Sequence, residues 1–323
     1  MLIGLHDAEF DYMPKKQFPN YSLMKISSYH KKIGDIVEWW NPLKKYDLVY
    51  SSKVFSFTKE NMYLPDDAIR GGTGYNLFNN LNLEIDNMFP DYSLYPKCGY
   101  SLGFITRGCI NNCSFCIVRQ KEGFIKSYRK WNEIVRQDTD KLVLMDNNIL
   151  ASEYGIDQLE ELAQTDYKID LNQGMDARLV TEGIADILAK IKWIRYIRFS
   201  CDQISQLDAI FNVAALLGER GIKPHKIFVY LLVTKDIQNA AYRVDMLKKL
   251  KNINIYAQAE RNESTGIIPN IVQLEFTNRY IYGRCYKTET WVEYCKRKRF
   301  KWDTYNNQFF IIKDSVLKNQ ISI

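Results

Sequence analysis

The chain has 323 residues, of which 46% are hydrophobic and 25% charged, and its formal net charge is +6. These proportions are ordinary for a globular protein, and the length suffices for one large or two modest domains. No run of about 18 or more apolar residues is present, which argues against a membrane span. The N-terminus lacks the basic-then-apolar layout of a secretory signal, so we expect a cytoplasmic protein without a membrane partner.

The first segment, residues 1–97, is predicted to form a small α/β domain. Its predicted elements are, in order, a strand at 2–5, a helix that starts near residue 20 and ends at Gly34, and strands at 35–40 and 46–54. A strand, a helix and two further strands indicate a small parallel sheet. His30 lies within the helical pattern, and we expect it on the surface because exposed histidine is common.

The stretch GCINNCSFCIVR at residues 108–119 contains the most specific motif of the chain. It places Cys109, Cys113 and Cys116 in a C-x3-C-x2-C pattern, and cysteine sulfur is the preferred ligand of iron-sulfur clusters and zinc. A closed structural site usually has four protein ligands, so three thiolates leave one position open for a substrate or cofactor. Zinc is one alternative, and a helix with thiols along one face is another. A loop is favoured over that helix by several poor helix formers, namely Gly103, Gly108, Asn111 and Asn112.

The other four cysteines, Cys98, Cys201, Cys285 and Cys295, are scattered along the chain. A cysteine cluster without an export signal is typical of a reducing compartment and favours a metal site over disulfides. We expect the scattered four to be buried free thiols. A second cluster built from them is the alternative.

From Tyr100 onward, predicted strands and helices alternate. The strands are predicted at 101–106, 141–149, 167–173, 196–202, 225–233 and 253–259, and the helices at 131–137, 156–164, 182–191, 206–221 and 237–251. Six strands that alternate with helices imply a parallel sheet with right-handed crossovers. Residues 98–262 are therefore predicted to form a partial (β/α)6 barrel, in which the chemistry lies at the carboxyl ends of the strands.

The cysteine motif, with the aromatic Phe115 just before the last cysteine and a strand before the first, resembles the signature loop of the radical S-adenosylmethionine (SAM) superfamily. In that superfamily the three cysteines bind three irons of a 4Fe-4S cluster, and the amine and carboxylate of SAM chelate the fourth. An electron from the cluster cleaves SAM to a 5'-deoxyadenosyl radical, which abstracts hydrogen from a substrate. The resemblance implies a 4Fe-4S cluster and SAM as cofactors, and a small electron donor such as a flavodoxin or ferredoxin as partner.

The N-terminal segment resembles the flavodoxin-like, cobalamin-binding domain that precedes the radical SAM barrel in one branch of the superfamily. Gly71, Gly72 and Gly74, within IRGGTGY, resemble the glycine-rich turn that lies against the cofactor there. A plain surface turn is the alternative. The segment is short for such a domain and has no Asp-x-His-x-x-Gly motif. The resemblance therefore implies the fold, and it leaves cobalamin binding, and with it methylation, open.

Polar residues after the second barrel strand match a position at which related enzymes hold the amino group of SAM. These residues are Asp146, Asn147 and Asn148, and a carboxylate there would pair with an ammonium group. A turn or a helix cap is the alternative for this cluster.

The next two strand ends provide further candidates for SAM binding. Gln173 follows the third strand, and Arg178 matches an arginine that contacts SAM or the cluster surroundings in the cobalamin-type branch. A guanidinium group suits the methionyl carboxylate, with a surface salt bridge as the alternative. Asp202 and Gln203 follow the fourth strand, where relatives accept hydrogen bonds from the ribose hydroxyls.

The last segment, residues 263–323, is predicted to be a basic and aromatic extension. Residues 279–301 hold eight Lys or Arg against two Glu, interleaved with Tyr, Trp and Phe. Such a mixture can bind phosphates and stack on bases, which makes nucleic acid a candidate partner. The alternative is a solvated helix whose aromatic side chains pack on the barrel.

Together these features predict a radical SAM enzyme in which the catalytic residues and the substrate are unknown. A non-catalytic iron-sulfur or nucleic-acid-binding protein on the same fold is the alternative.

Overall fold

A computed structural model describes residues 1–12, 18–262, 265–303 and 308–310. The described residues divide into two compact units, one within 1–103 and 134–139, the other within 104–133 and from 140 onward. The first boundary therefore lies at 103 instead of 97, and the predicted extension from 263 clusters with the second unit. The end of that extension, residues 311–323, lies outside the described residues.

The first unit contains a parallel sheet. The strands of this sheet are β1 (Leu2–Asp7), β2 (Ile36–Trp39), β3 (Leu48–Ser52) and β4 (Ile69–Gly71). The unit also contains the short strand β5 (Ser101–Gly103) and the helices α1 (Ala8–Tyr12), α2 (Tyr21–Lys32) and α3 (Leu83–Asp86). Parallel ladders give the order β2-β1-β3-β4. The side chains of Ile3 and Leu5 in β1 are fully buried, as an apolar central strand requires. The predicted parallel α/β arrangement of this segment is confirmed.

His30 is buried, so its predicted surface position is wrong. Only 3% of the residue is exposed. Its Nδ1 lies 2.7 Å from Asp35 Oδ2, and its Nε2 lies 3.1 Å from the Tyr50 hydroxyl. Because both ring nitrogens have partners, the imidazole can be buried without leaving a polar atom unsatisfied.

The second unit alternates strands and helices. Its strands are β6 (Thr106–Arg107), β7 (Lys126–Ser127), β8 (Lys141–Leu144), β9 (Lys168–Leu171), β10 (Met175–Asp176), β11 (Lys192–Trp193), β12 (Ile197–Ser200), β13 (Ile227–Val233), β14 (Asn254–Ala259), β15 (Lys301–Asp303) and β16 (Gln308–Phe310). Its α-helices are α4 (Val118–Glu122), α5 (Glu153–Ala163), α6 (Glu182–Lys190), α7 (Leu207–Glu219), α8 (Ile237–Leu247), α9 (Ile271–Leu274) and α10 (Trp291–Arg297), and a π-helix spans Glu275–Ile281. Short 3-10 helices lie at Trp131–Glu133, Ile149–Ala151, Ala177–Leu179, Ile204–Gln206, Pro224–Lys226, Lys248–Leu250 and Cys285–Lys287, and in the first unit at Tyr92–Leu94.

Parallel ladders join the strands of the second unit into two groups. One has the order β10-β12-β13-β14, and in the other β9 pairs with both β8 and β11. The pairs β6 with β7 and β15 with β16 are antiparallel hairpins. The mixed α/β class with parallel sheets is thus confirmed. Within the described ranges, no helix is long and apolar enough to cross a membrane.

The predicted helix at 131–137 is wrong. The structure has only a 3-10 turn at Trp131–Glu133 in this region. The backbone N–H of Arg136 donates to Ser101 Oγ at 2.8 Å, and its Nη1 donates to the Cys98 carbonyl at 2.7 Å. These bonds to a distant part of the first unit replace the local bonds that a helix would make.

The predicted strand at 101–106 is also not continuous, because the structure splits it into β5 and β6. The backbone N–H groups of Ile105 and Thr106 donate to the carboxylate of Asp146. A side chain therefore takes the donors that a continuous strand would offer to a neighbouring strand.

Candidate functional site

The cysteine loop, which we define as residues 108–116, connects β6 to the residues before α4. No part of this loop is helical, so the alternative of a thiol-lined helix is wrong. Gly108 has φ +88°, and a Cβ there would lie 2.4 Å from the Phe124 carbonyl oxygen. Only glycine fits such a close approach of two backbones. The Cys109 N–H donates to the Gly123 carbonyl at 3.3 Å, so the start of the loop lies beside the end of α4.

Glu122 ties the base of the cysteine loop together. Its carboxylate accepts bonds from Arg107 Nε at 2.9 Å and Nη2 at 2.7 Å. It also accepts from the Gly108 N–H and from Asn147 Nδ2, both at 3.1 Å. The Arg107 guanidinium lies 4.2 Å from the centre of the Phe104 ring. A bidentate, partly buried pair of this kind holds a fixed geometry, so the loop has a rigid base.

The surroundings of the cysteine loop raise the pKa of two of its thiols. Burial raises the pKa of Cys113, and the charges of Cys116 and Cys109 raise it further. Cys116 is exposed as a residue, yet its sulfur is desolvated enough to raise its pKa, with Cys109 adding to the shift. Among the described residues, however, no group of three His, Cys, Asp or Glu side chains has a geometry ready to hold a metal ion. The three thiols therefore belong to one loop, but their side chains are not arranged to hold a single metal ion.

Arg178 lies close to the thiols and pairs with Asp176. Arg178 Nε donates to Asp176 Oδ1 at 2.8 Å, and its Nη2 donates to Oδ2 at 2.6 Å. Asn111 of the cysteine loop also donates to Asp176 Oδ2, at 3.0 Å. Burial opposes ionisation of Asp176, but the bonds from Arg178 and Asn111 hold the pKa of this carboxyl group below its ordinary value. The Arg178 side chain is 48% exposed, so a ligand can reach it from solvent.

Asp202 acts electrostatically on the cysteine loop. Its charge raises the pKa of both Cys113 and Cys116. Burial raises the pKa of Asp202 itself, against the opposing effects of the Leu232 N–H and the charge of Arg243. Asp202 Oδ1 accepts from the Leu232 N–H at 3.0 Å, which leaves further acceptor capacity on the carboxylate.

Arg243 and the neighbouring glutamines hold the turn that carries Asp202. Arg243 is 1% exposed and donates to the carbonyl oxygens of Cys201 at 2.5 Å and Leu232 at 2.8 Å. Gln206 Oε1 accepts from the N–H groups of Asp202 at 2.6 Å and Gln203 at 2.9 Å. The Gln203 residue thus forms part of the cap of a 3-10 helix.

Asp146 is not available to a ligand, which corrects its predicted role in binding the SAM amine. The residue is 4% exposed. Its carboxylate accepts from the Ile105 N–H at 3.1 Å and from the Thr106 N–H and Oγ1 at 2.5 and 2.7 Å. Burial raises its pKa to about 6 despite these bonds. Asp146 therefore fixes the strand that leads into the cysteine loop.

The other candidates for cofactor binding have different environments. Asn147 binds Glu122, as described above, and Asn148 Nδ2 lies 3.6 Å from Cys109 Sγ. Gln173 Nε2 donates to Asn172 Oδ1 at 3.1 Å at the surface. Phe115 is half-buried within the cysteine loop. The structure thus places Asn148 against a thiol, and it places Arg178 on the carboxylate that Asn111 of the cysteine loop also binds.

The glycine-rich turn of the first unit is built by backbone contacts. Gly72 has φ +91°, and a Cβ on it would lie 2.4 Å from the Lys53 carbonyl oxygen. A Cβ on Gly74 would lie 2.6 Å from the Phe55 carbonyl oxygen, whereas Gly71 has open space. Close packing of the turn against the chain after β3 therefore explains Gly72 and Gly74 without a ligand.

The aromatic side chains of the basic segment at 279–301 are largely internal. Four of them are buried, namely Tyr280, Tyr286, Trp291 and Tyr294. Trp291 stacks on Tyr294 and meets the rings of Phe276 and Tyr280 edge-on. The Tyr286 hydroxyl accepts from the Ile255 N–H of β14 at 3.4 Å. Tyr282 is 75% exposed. Most of the rings that could stack on bases thus pack within the second unit.

Three of the four scattered cysteines are buried free thiols, as predicted, and the fourth is less buried than expected. Cys98, Cys201 and Cys295 are buried free thiols, and Cys285 is half-buried. Burial raises the pKa of Cys201 to about 12.

Two residues that sequence reasoning missed organise the site, Glu122 and Arg243. Arg107 and Glu122 bracket the cysteine loop with opposite charges, which is a signal that could have identified the pair. No protein-family model matches the chain, and none of the curated proteins compared with it is similar in sequence.

Proposed function

We propose that the chain is a radical SAM enzyme whose second unit is a partial (β/α)6 barrel. Cys109, Cys113 and Cys116 would hold a 4Fe-4S cluster, which supplies the electron for reductive cleavage of SAM to a 5'-deoxyadenosyl radical. The observation that carries the proposal is the hydrogen-bond network that joins the cysteine loop to Arg178. Asn111 of the loop donates to Asp176 Oδ2 at 3.0 Å, and Arg178 Nη2 donates to the same oxygen at 2.6 Å.

The donor chemistry of the cysteine loop fits an iron-sulfur cluster. Three thiols on a loop with a rigid base provide soft ligands, and three ligands leave a position for a cofactor. The backbone N–H of Asn111 also donates to a cysteine sulfur, Cys109 Sγ, at 3.3 Å. Such donors stabilise a thiolate.

Arg178 and Asp202 are suited to the two ends of SAM. The exposed face of the Arg178 guanidinium can bind the methionyl carboxylate, while Asp176 and Asn111 keep it beside the loop. Asp202 can accept a hydrogen bond from a ribose hydroxyl, because its second carboxylate oxygen has acceptor capacity left. Their partners fix both side chains before a ligand arrives, which lowers the entropy cost of binding.

The decisive experiment is SAM cleavage by anaerobically reconstituted protein with dithionite as reductant. We expect release of 5'-deoxyadenosine from the parent protein and none from Cys113→Ala. Cys285→Ala removes a thiol outside the loop and should retain the activity, which controls for the loss of a cysteine. A protein that binds the cluster but releases no 5'-deoxyadenosine would instead be a non-catalytic iron-sulfur protein. Added cobalamin tests whether the first unit takes part in the reaction.

A further inference from the structure

Asn148 donates a hydrogen bond to one of the three cysteine sulfurs. Its Nδ2 lies 3.6 Å from Cys109 Sγ, and the Asn111 backbone N–H approaches the same sulfur at 3.3 Å. Two N–H groups therefore point at one atom. A sulfur that carries negative charge is a much better acceptor than a neutral one, so these donors suit a sulfur that is bound to a metal.

The position of Asn148 has no other local explanation. It precedes the 3-10 helix at Ile149–Ala151, where an asparagine commonly caps the helix, but its side chain makes no capping bond. The residue is 3% exposed, and its Oδ1 is buried without a hydrogen-bond partner among the described residues. A buried unsatisfied oxygen destabilises the folded chain. The favourable contact of this amide is the one to Cys109.

We propose that Asn148 is a positioning residue that stabilises the anionic Cys109 sulfur and thereby raises the reduction potential of the iron-sulfur cluster. This inference rests on the function proposed above. Reduction adds negative charge to the cluster and its sulfur ligands, so an N–H donor stabilises the reduced form more than the oxidised form. In this role Asn148 binds a cysteine ligand of the cluster, whereas the sequence predicted that it contacts the amine of SAM.

The test is a potentiometric titration followed by electron paramagnetic resonance. Asn148→Leu removes the donor with little change in volume, and we expect the equilibrium constant for one-electron reduction to fall about tenfold, which is about 59 mV. Asn148→Asp keeps the shape but replaces the donor with an anion, so its potential should fall at least as far. Asn254→Leu removes an amide that binds the His225 carbonyl at 2.8 Å and should leave the potential unchanged.

Affinity for Co(II), read from its thiolate absorption, gives a second measure that does not need iron. We expect Asn148→Leu to bind Co(II) about tenfold more weakly than the parent. A potential and a Co(II) affinity equal to those of Asn254→Leu would overturn the inference. If the parent binds Co(II) but no cluster, the proposed function fails, while the ratio of Co(II) affinities still decides the role of Asn148. If the parent binds neither metal, both proposals fail.

Discussion

Asp7 is a buried carboxyl group at the end of β1, and its environment predicts an unusual dependence of stability on pH. Burial raises its pKa from 3.8 to about 6, although the Tyr95 hydroxyl donates to Asp7 Oδ2 at 2.9 Å. Between these two values the folded chain holds a proton that the unfolded chain has released. The free energy of unfolding therefore falls as the pH rises through this window, by roughly 3 kcal/mol for a shift of about two units.

We expect Asp7→Asn to flatten this pH dependence, because the amide does not ionise. Urea unfolding of the cluster-free protein at about pH 4 and about pH 7 measures the change. Some slope should persist, since burial also raises the pKa of Asp146 to about 6. If the unfolding free energy changes equally with pH in Asp7→Asn and in the parent, the pKa of Asp7 is not raised by folding.

Similar residues in similar sequence positions have different roles here. Asp146 and Asp202 each follow a parallel strand, and both were predicted to contact SAM. The structure surrounds Asp146 with donors from Ile105 and Thr106. Asp202 Oδ1 instead accepts from the Leu232 N–H, and the charge of Asp202 acts on the thiols. The spacing of the sequence identifies the strand end but not the distant donors, so it could not separate the two.

At the scale of elements, the base of the cysteine loop depends on Gly108. Gly108→Ala would strain a residue at φ +88° and force its Cβ to within 2.4 Å of a backbone oxygen. We expect the variant to lose most of its bound iron after reconstitution, because the loop can no longer close beside α4. Gly183→Ala in α6 is the control, since nothing lies within 4 Å of the added methyl group. A Gly108→Ala protein with full iron content would contradict the rigid base.

Arg243 links the ends of β12 and β13, and its removal should destabilise the second unit. Arg243→Met leaves the buried carbonyls of Cys201 and Leu232 without these donors, so we expect a loss of at least about 2 kcal/mol of unfolding free energy. Arg297→Met, which removes a half-exposed arginine paired with the Glu289 carboxylate, should have little effect. Urea unfolding of both variants measures the difference. Equal stabilities would show that other contacts hold the two strand ends.

The regular elements were predictable because their apolar periodicity is local. Helix α6 and strand β13 follow the predicted ranges closely, as do the short strands of the first unit. The predicted helix at 131–137 failed because its residues bind distant partners such as Ser101. The sequence did not predict the role of Arg243, because arginine side chains are usually exposed. In the structure Arg243 lies on the buried face of α8, between Ala240 and Leu247.

At the scale of the whole molecule, the charge of the chain is concentrated in a segment that also builds the second unit. The basic residues at 279–301 surround aromatic rings that are buried together, and Arg297 pairs with Glu289 at 3.0 Å. The sequence shows that basic and aromatic residues are interleaved in this segment. It could not show which of these side chains face inward. If the segment binds RNA, the affinity should fall steeply with salt, as binding to phosphates requires.

Metal analysis of anaerobically purified and reconstituted protein shows whether the cysteine loop holds the proposed iron-sulfur cluster. We predict about four irons per chain with the brown absorbance of a 4Fe-4S cluster. Replacing Cys109, Cys113 and Cys116 together with alanine should abolish both signals, whereas Cys285→Ala should retain them. A colourless parent protein that contains zinc, or a triple variant with undiminished iron, would contradict the account.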